Sequence, residues 1–337
     1  MPKPLLSFVI PCYRSARTIG AVVRELTDTL DTRRDEYDHE IILVNDGSPD
    51  DTARVIRGLC AEYPSVVFVD LSRNFGQHSA VMAGFHQVKG DIVVCLDDDG
   101  QTPANECFKL IDKVREGYDI VFAQYENRKQ TGFRNLGSRF NTACNHYFFG
   151  QPKDLVANSY YACRRFVVDS ALAYPNPFPY VTGLLLQSVG SYANVPIQHR
   201  ARLEGSSGYS LKKLMGLWLN GVTAFSIKPL RFASYVGWIT AIVGILSALV
   251  TVVSKLCNPN MQAGWASTIS VMLFLGGFII ALIGVLGEYI GRIYLSINRQ
   301  PQYVVRSVTR GGNAAVPKAE EQSEVSAHEN DACGLGA

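Results

Sequence analysis

The chain has 337 residues, room for one large or two small domains, and 47% of them are hydrophobic. The formal net charge of +2 conceals segregation, because residues 205–310 hold nine basic residues and one acid, Glu288. Basic charge beside apolar runs points to anionic lipid head groups. No nucleic-acid recognition motif accompanies it, which excludes that partner.

Residues 5–10 read as an apolar strand stopped by Pro11. Lys3 leads straight into it, so no N-terminal signal peptide is expected. Residues 16–30 place Ile19, Val22, Val23, Leu26 and Leu30 at helical spacing. A second strand, 40–44, ends in Asn45-Asp46-Gly47-Ser48. A helix over 51–63 turns Val55, Ile56 and Leu59 inward. Strand 66–71, helix 77–88, strand 91–96, helix 103–116 and strand 119–123 follow. This alternation predicts an α/β domain with a Rossmann-like parallel sheet and right-handed crossovers. No G-x-G-x-x-G follows the first strand, so a dinucleotide fingerprint is absent. Further on, 181–189 reads as a short helix and 195–202 as a strand.

The apolar run 92–96 lies between Gly90 and Gly100 and ends in three carboxylates, Asp97, Asp98 and Asp99. In an open parallel sheet, ligands bind at that edge. Asp97 and Asp99, at alternate positions, can converge on one divalent ion. Hard oxygen donors suit Mg²⁺ or Mn²⁺, completed by substrate phosphates. The plainer alternative is an acidic turn that caps the helix from residue 103. Asp46 stands at the matching end of its own strand. It either accepts from the base or ribose of a nucleotide or closes an Asx turn. Gly76 opens the third helix, whose N-terminus suits an anion. His78 beside it is either a catalytic group or a local packing residue. The eight cysteines show no C-x-x-C pair. They read as reduced thiols of a cytosolic compartment, several of them, such as Cys95, in the core.

Residues 125–139 carry Arg128, Lys129, Arg134 and Arg139, either a loop that closes over the site or a solvated surface. Leu211, Leu214, Met215, Trp218, Val222 and Phe225 form an apolar stripe, with Lys212 and Lys213 off it. This is an interfacial helix among lipid head groups or a core-facing helix. Two uncharged apolar runs, 232–254 and 265–287, are each long enough to cross a bilayer. Lys228 and Arg231 precede the first, and Arg292, Arg299 and Arg306 follow the second. Only Lys255 lies near the outer face. The positive-inside rule then predicts two spans in the plasma (inner) membrane, with the catalytic domain and C-terminus cytoplasmic. The tail, rich in Gly, Ala, Glu and Ser, is expected to be disordered. The domain plan is a catalytic domain over 1–207, an interfacial helix over 208–230, spans over 231–256 and 264–290, a juxtamembrane segment over 291–307 and a tail over 308–337.

PCYRS after the first strand, LVNDGSPDDT after the second, LSRNFGQHSAVMAGF and GDIVVCLDDDGQTP together resemble a family 2 glycosyltransferase domain over roughly the first two thirds of the chain. RLEGSSGY at 202–209 matches the R-x-x-G-x-S-x-Y of polyprenyl-phosphate glycosyltransferases, though such a stretch can also be a Gly/Ser linker. LGEYIGRIY at 286–294 resembles the second-span ending of bacterial undecaprenyl-phosphate sugar transferases. The resemblance, to enzymes of the dolichol-phosphate mannose synthase type, implies a GT-A fold. It implies metal ligation by Asp97 and Asp99, and nucleotide-sugar binding by Pro11, Tyr13, Asp46, Asp97, Asp98 and Gln101. It implies a catalytic acid at Asp154, aimed at the anomeric carbon and working with Asp99; a structural acid opening a strand is the alternative. Arg128, Arg134 and Arg202, with Ser138 and Ser207, are the candidates for the acceptor phosphate. Arg14-Ser15 stands where the family often has Asn-Glu, and Gly100 to Ala104 departs from its usual D-x-Q-D-P-P.

The reaction these features imply is inverting transfer of a sugar from a nucleoside diphosphate sugar, a UDP-sugar first, to polyprenyl (undecaprenyl) phosphate. The product is a polyprenyl monophosphosugar for cell-envelope glycan modification. Three competitors differ in what they need. A processive polysaccharide synthase would carry Q-x-x-R-W and more spans. A glycosyltransferase with a different acceptor would not need R-x-x-G-x-S-x-Y beside an interfacial helix. A catalytically silent nucleotide-binding membrane scaffold would not need Asp97, Asp99 and Asp154 intact. Self-association as a homo-oligomer is left open.

Overall fold

A computed structural model describes residues 3–126, 155–198, 200, 228–257, 264–298 and 300–312. The chain forms two compact units. One holds the sheet and its helices together with residues 300–312; the other holds two long helices.

The eight-stranded sheet has the order β7-β5-β6-β4-β1-β2-β3-β8. Its strands are β1 Leu5–Cys12, β2 Asp38–Asn45, β3 Val66–Leu71, β4 Ile92–Cys95, β5 Ile120–Glu126, β6 Tyr161–Arg164, β7 Tyr192–Gln198 and β8 Val305–Arg310. β1 pairs in parallel with β2 and β4, and β2 with β3, so the C-terminal ends of these four strands share one edge. β6 is antiparallel to both β4 and β5, and β8 is antiparallel to β3. The sheet is therefore mixed, which corrects the parallel expectation. β6 is only four residues long and is wedged between two longer-range partners. β8 reads V-R-S-V-T-R and is half-buried almost throughout. β6 lies in the stretch after Asp154 that reads as strand-like, but its direction is not written in its residues; β8 lacks the apolar alternation that marks a strand.

The first helix, α1 (Ile19–Asp31), buries Ile19, Val22, Val23, Leu26 and Leu30, the five positions its spacing selects. α2 (Thr52–Glu62) buries Ile56 and Leu59 as expected, with Cys60 beside them. α3 (Gln77–Phe85) is buried from Ser79 to Phe85 without a polar face. A side chain at its Gly84 would stand 2.5 Å from Val9 Cγ1, so glycine lets this helix lie directly on β1. A single 3₁₀ turn, Ala104–Glu106, leads into α4 (Cys107–Arg115). α5 (Arg165–Leu172) was not anticipated, and α6 (Val181–Gln187) was. Cys12, Cys60, Cys95, Cys107 and Cys163 are buried free thiols, consistent with packing roles.

The second unit contains α7 (Lys228–Cys257) and α8 (Trp265–Ile297). Among the described residues one stretch, Phe274–Leu295, is long and apolar enough to cross a membrane, and Ala233–Gly244 is a shorter apolar segment. Phe274, Ile280 and Ile283 stand exposed on α8. The C-terminal boundaries differ from expectation. α8 runs to Ile297 rather than 290, and Val305–Arg310 belongs to the sheet rather than to a juxtamembrane segment and loose tail.

Candidate active site

β1 lies between β2 and β4, parallel to both, so the strand order reverses at β1. The crevice beyond such a switch point is where open α/β sheets bind ligands. Its two lips are the loop after β1, beginning at Tyr13, and the acids after β4.

The loop after β1 is held by other parts of the chain. Asp98 Oδ2 accepts the Tyr13 N–H at 3.1 Å and also the Ser15 hydroxyl. The N–H groups of Arg14, Ser15 and Ala16 donate to Ser48 Oγ (3.2 Å), Thr52 Oγ1 (2.8 Å) and Asp50 Oδ2 (3.4 Å). Four successive backbone donors are thus captured by side chains. They hold Arg14 at φ +59°, the left-handed region that costs a non-glycine residue about 1–2 kcal/mol. The result leaves the Tyr13 ring 43% exposed at the crevice, with the Arg14 guanidinium 5.5 Å from its centroid. Pro11 is buried inside β1, opposite Val44, and shapes the approach to this loop.

Asp46 follows β2 and is buried. Its Oδ1 accepts the Phe75 N–H at 2.7 Å and its Oδ2 the Gly76 N–H at 2.9 Å. Burial pushes its pKa up, and the two N–H bonds oppose that. The Gly76 N–H, expected to face an anion, faces Asp46 instead. One lone pair on each carboxylate oxygen remains for a nucleotide.

The acids after β4 are each placed differently. Asp97 accepts from Gln77 Nε2 at 3.0 Å on Oδ1 and from the Ser159 hydroxyl on Oδ2. Burial, with Asp99 and Asp98 nearby, pushes its pKa up to about 6 against those two bonds. Asp98 faces the loop after β1. Asp99 Oδ1 accepts the Gln101 N–H at 3.0 Å, an Asx turn that fixes Gln101 through its backbone. Among the described residues no three His, Cys, Asp or Glu side chains converge as a complete metal site. The donor set that is present, two hard carboxylates with lone pairs remaining, fits a Mg²⁺ or Mn²⁺ ion whose other ligands are phosphate oxygens and water.

His78 packs edge-on against Tyr180, ring centroids 5.3 Å apart, and burial pushes its pKa down to about 4. The ring contact with Tyr180 is what a local packing role requires. Asp154, Arg128, Arg134, Ser138, Arg202 and Ser207 lie outside the described residues. Arg200, two positions before Arg202, grips Glu25 at 2.8 and 2.9 Å and Asn105 Oδ1 at 3.0 Å. Sequence reasoning missed Gln77, Ser159, Ser15, Ser48 and Thr52. Gln77 and Ser159 reach Asp97 across 20 and 62 residues, a juxtaposition only the sheet creates.

Comparison with known proteins agrees with this geometry. Residues 7–169 match the model of Glycosyl transferase family 2, and residues 228–293 match that of the GtrB C-terminal hairpin. An undecaprenyl-phosphate 4-deoxy-4-formamido-L-arabinose transferase of Enterobacter sp. (strain 638) is 34% identical over 321 residues, 94% of this chain and 97% of that protein. One of the same name from Pseudomonas fluorescens (strain SBW25) is 34% identical over 329 residues, 93% of each chain. Among solved structures, mannosyl-3-phosphoglycerate synthase from Rubrobacter xylanophilus is similar with a TM-score of 0.52 at 18% identity, covering 69% of this chain and 75% of that one. Glucosyl-3-phosphoglycerate synthase from Mycobacterium tuberculosis, solved with Mn²⁺, uridine-diphosphate-glucose and phosphoglyceric acid, has a TM-score of 0.50 at 20% identity, covering 66% and 78%. These two likenesses establish the fold, a GT-A type α/β domain with a mixed sheet. The near full-length relatives and the family match make this chain a glycosyltransferase, and it belongs to glycosyl transferase family 2.

Proposed function

We propose that the protein transfers a sugar from a nucleoside diphosphate sugar, a UDP-sugar first, to polyprenyl phosphate at the inner membrane, giving a polyprenyl monophosphosugar. The observation that carries this reading is the match, over 94% and 93% of this chain, to two transferases named for undecaprenyl phosphate. A match that long runs through the sheet domain and both long helices. The hairpin match over 228–293 supports reading α7 and α8 as a helical pair, and the basic residues that flank the two apolar runs support two spans with the catalytic unit cytoplasmic.

In this reading Tyr13 offers its ring face to the base, and Asp46 accepts from base or ribose. Asp98 keeps Tyr13 in place. Asp97 and Asp99 would hold a Mg²⁺ or Mn²⁺ ion, which when bound supplies positive charge against the diphosphate leaving group. Gln77 and Ser159 orient Asp97 for that task. The attacking atom is an oxygen of the lipid phosphate. Its second pKa is about 6, so it is largely dianionic at neutral pH and needs no strong base. The new bond joins that oxygen to the anomeric carbon, and the bond from that carbon to the diphosphate breaks with inversion. Asp154 steadies positive charge at the anomeric carbon. Arg128, Arg134 and Arg202 bring fork-shaped donors to the acceptor phosphate, with Ser138 and Ser207 beside them. Holding two anionic reactants in line supplies several kcal/mol, roughly, of the barrier reduction.

The test incubates membranes containing the full chain with undecaprenyl phosphate and a panel of radiolabelled nucleotide sugars, a 4-deoxy-4-formamido-L-arabinose donor included. Label is expected in the lipid extract, dependent on added polyprenyl phosphate. Label that appears only in polymer or protein would refute the acceptor assignment.

A further inference from the structure

The segment that follows α8 returns to the catalytic sheet, and it grips the part of the sheet that carries the donor site. β8 pairs with β3, with Val305 opposite Leu71 and Ser307 opposite Asp70. One residue on β3 is thus matched by two on β8. Arg306 is the extra residue of the resulting bulge, and bulges commonly re-aim a side chain. Its Nη1 lies 3.3 Å from Asp70 Oδ2, and its Nη2 donates to the Ser72 carbonyl at 2.9 Å. The Ser72 N–H in turn donates to the Val304 carbonyl at 2.9 Å. Both backbone polar groups of Ser72 are therefore held by this strap.

Asp70 and Ser72 are the two roots of the donor crevice. The Asp70 side chain is 1% exposed, and its only other cationic neighbour among the described residues, Arg57, stands 3.8 Å away. Its second oxygen accepts from Asn45 Nδ2 at 2.7 Å, and Asn45 Oδ1 accepts the Ser48 N–H at 3.2 Å. Ser48 receives the Arg14 N–H of the loop after β1. Ser72 begins the loop whose Phe75 and Gly76 N–H groups hold Asp46, and which leads to Gln77, the partner of Asp97. Two links thus run from one guanidinium. One is a polar chain through Asp70 and Asn45 to the Ser48 turn; the other runs from the Ser72 carbonyl along the loop backbone to Phe75, Gly76 and Gln77, the partners of Asp46 and Asp97.

We propose that Arg306 is a positioning residue for the donor site, acting through Asp70 and Ser72 to hold the Ser48 turn and the 72–77 loop in register. This rests on the donor reading given above for Asp46 and Asp97. Removing Arg306 leaves the buried Asp70 carboxylate, among the described residues, only the more distant cation Arg57 at 3.8 Å and frees the Ser72 carbonyl, so both links loosen together.

The experiment uses the full-length protein in detergent, as wild type, Arg306→Ala and Arg306→Lys. Hydrogen exchange, which needs no substrate, follows the amides of Ser48, Phe75 and Gly76. Arg306→Ala is expected to speed them at least tenfold. Initial rates at saturating acceptor are expected to show a donor KM raised about tenfold with kcat within twofold. Arg306→Lys, which can reach Asp70 but cannot span to the Ser72 carbonyl as well, is expected to recover part of both. Unchanged exchange at those three amides overturns the inference. So does an unchanged donor KM, whether or not the melting temperature falls, since a merely structural strap would move only the latter. Should the wild type label no lipid, the functional reading fails by itself. Exchange and UDP binding by the same three proteins then still decide the role of Arg306.

Discussion

Asp98 Oδ2 and the Tyr13 N–H meet at 3.1 Å although 85 residues separate them in the chain. The middle acid of the Asp97–Asp99 run is therefore occupied by the loop that presents Tyr13, not by the position where an ion would sit. Asp98→Ala releases the N–H of Tyr13 and the hydroxyl of Ser15 together. The donor KM is expected to rise at least tenfold, because two hydrogen bonds to a carboxylate are lost, each worth about 1.5 kcal/mol or more. Metal affinity should be unchanged. Asp98→Asn keeps one acceptor oxygen and should lie near wild type. A shift of the metal requirement in Asp98→Asn would return this residue to the metal site.

Asp99 has two roles to separate, since its Oδ1 also closes the turn to Gln101. Asp99→Asn divides them, because an amide oxygen still accepts the Gln101 N–H but carries no charge. The variant is expected to keep its melting temperature while lipid labelling falls at least a hundredfold. A chelator should silence the wild type, and added Mg²⁺ or Mn²⁺ should restore it. Normal labelling by Asp99→Asn would leave only the turn.

His78 gives a pH signature of stability. Its ordinary value of 6.5 falls to about 4 in the folded protein because burial disfavours the charged ring. Between those two values the unfolded chain binds a proton that the folded chain refuses. Stability contributed by this site is therefore full above pH 6.5 and is lost as pH falls toward 4. His78→Phe keeps an edge-on ring for Tyr180 and does not titrate. Relative to wild type, its melting temperature should gain on moving from about pH 7.5 to about pH 5. A constant difference across that range would mean the imidazole is hydrated, not buried.

Much of this architecture is legible in residue order because the forces involved are local. The period of Ile19, Val22, Val23, Leu26 and Leu30 dictates which face of α1 is buried. Asp is disfavoured within strands, so the acids that end the apolar runs, Asp46 and Asp97–Asp99, read as strand ends, and parallel connectivity brings those ends to one edge. What stays hidden are contacts that only folding creates. Ser159 reaches Asp97 because β6 runs against β4, which no local pattern announces. β8 is an edge strand with polar residues on a half-buried surface, so its sequence resembles a loop. The four donors of the Tyr13 loop find Asp98, Ser48, Thr52 and Asp50, each an ordinary turn residue when read alone.

Two glycines allow the closeness of these loops to be tested by opposite outcomes. Gly47 has φ +56°, and a Cβ there would stand 2.3 Å from the Arg73 carbonyl carbon and 2.5 Å from the Asn74 nitrogen. Those are backbone atoms of the loop that cradles Asp46, so they cannot swing aside as a side chain would. Gly47→Ala is expected to cost about 1–3 kcal/mol by overpacking and to raise the donor KM by separating the Ser48 turn from the 72–77 loop. Gly58 lies within α2, where a Cβ meets nothing within 4 Å. Gly58→Ala should stabilise by about 0.5–1 kcal/mol through helix propensity alone, with donor kinetics unchanged. Melting temperatures and initial rates for both variants read the contrast. If Gly47→Ala melted and turned over like wild type, the two loops would not touch, and the route by which Ser72 steadies Asp46 would be broken.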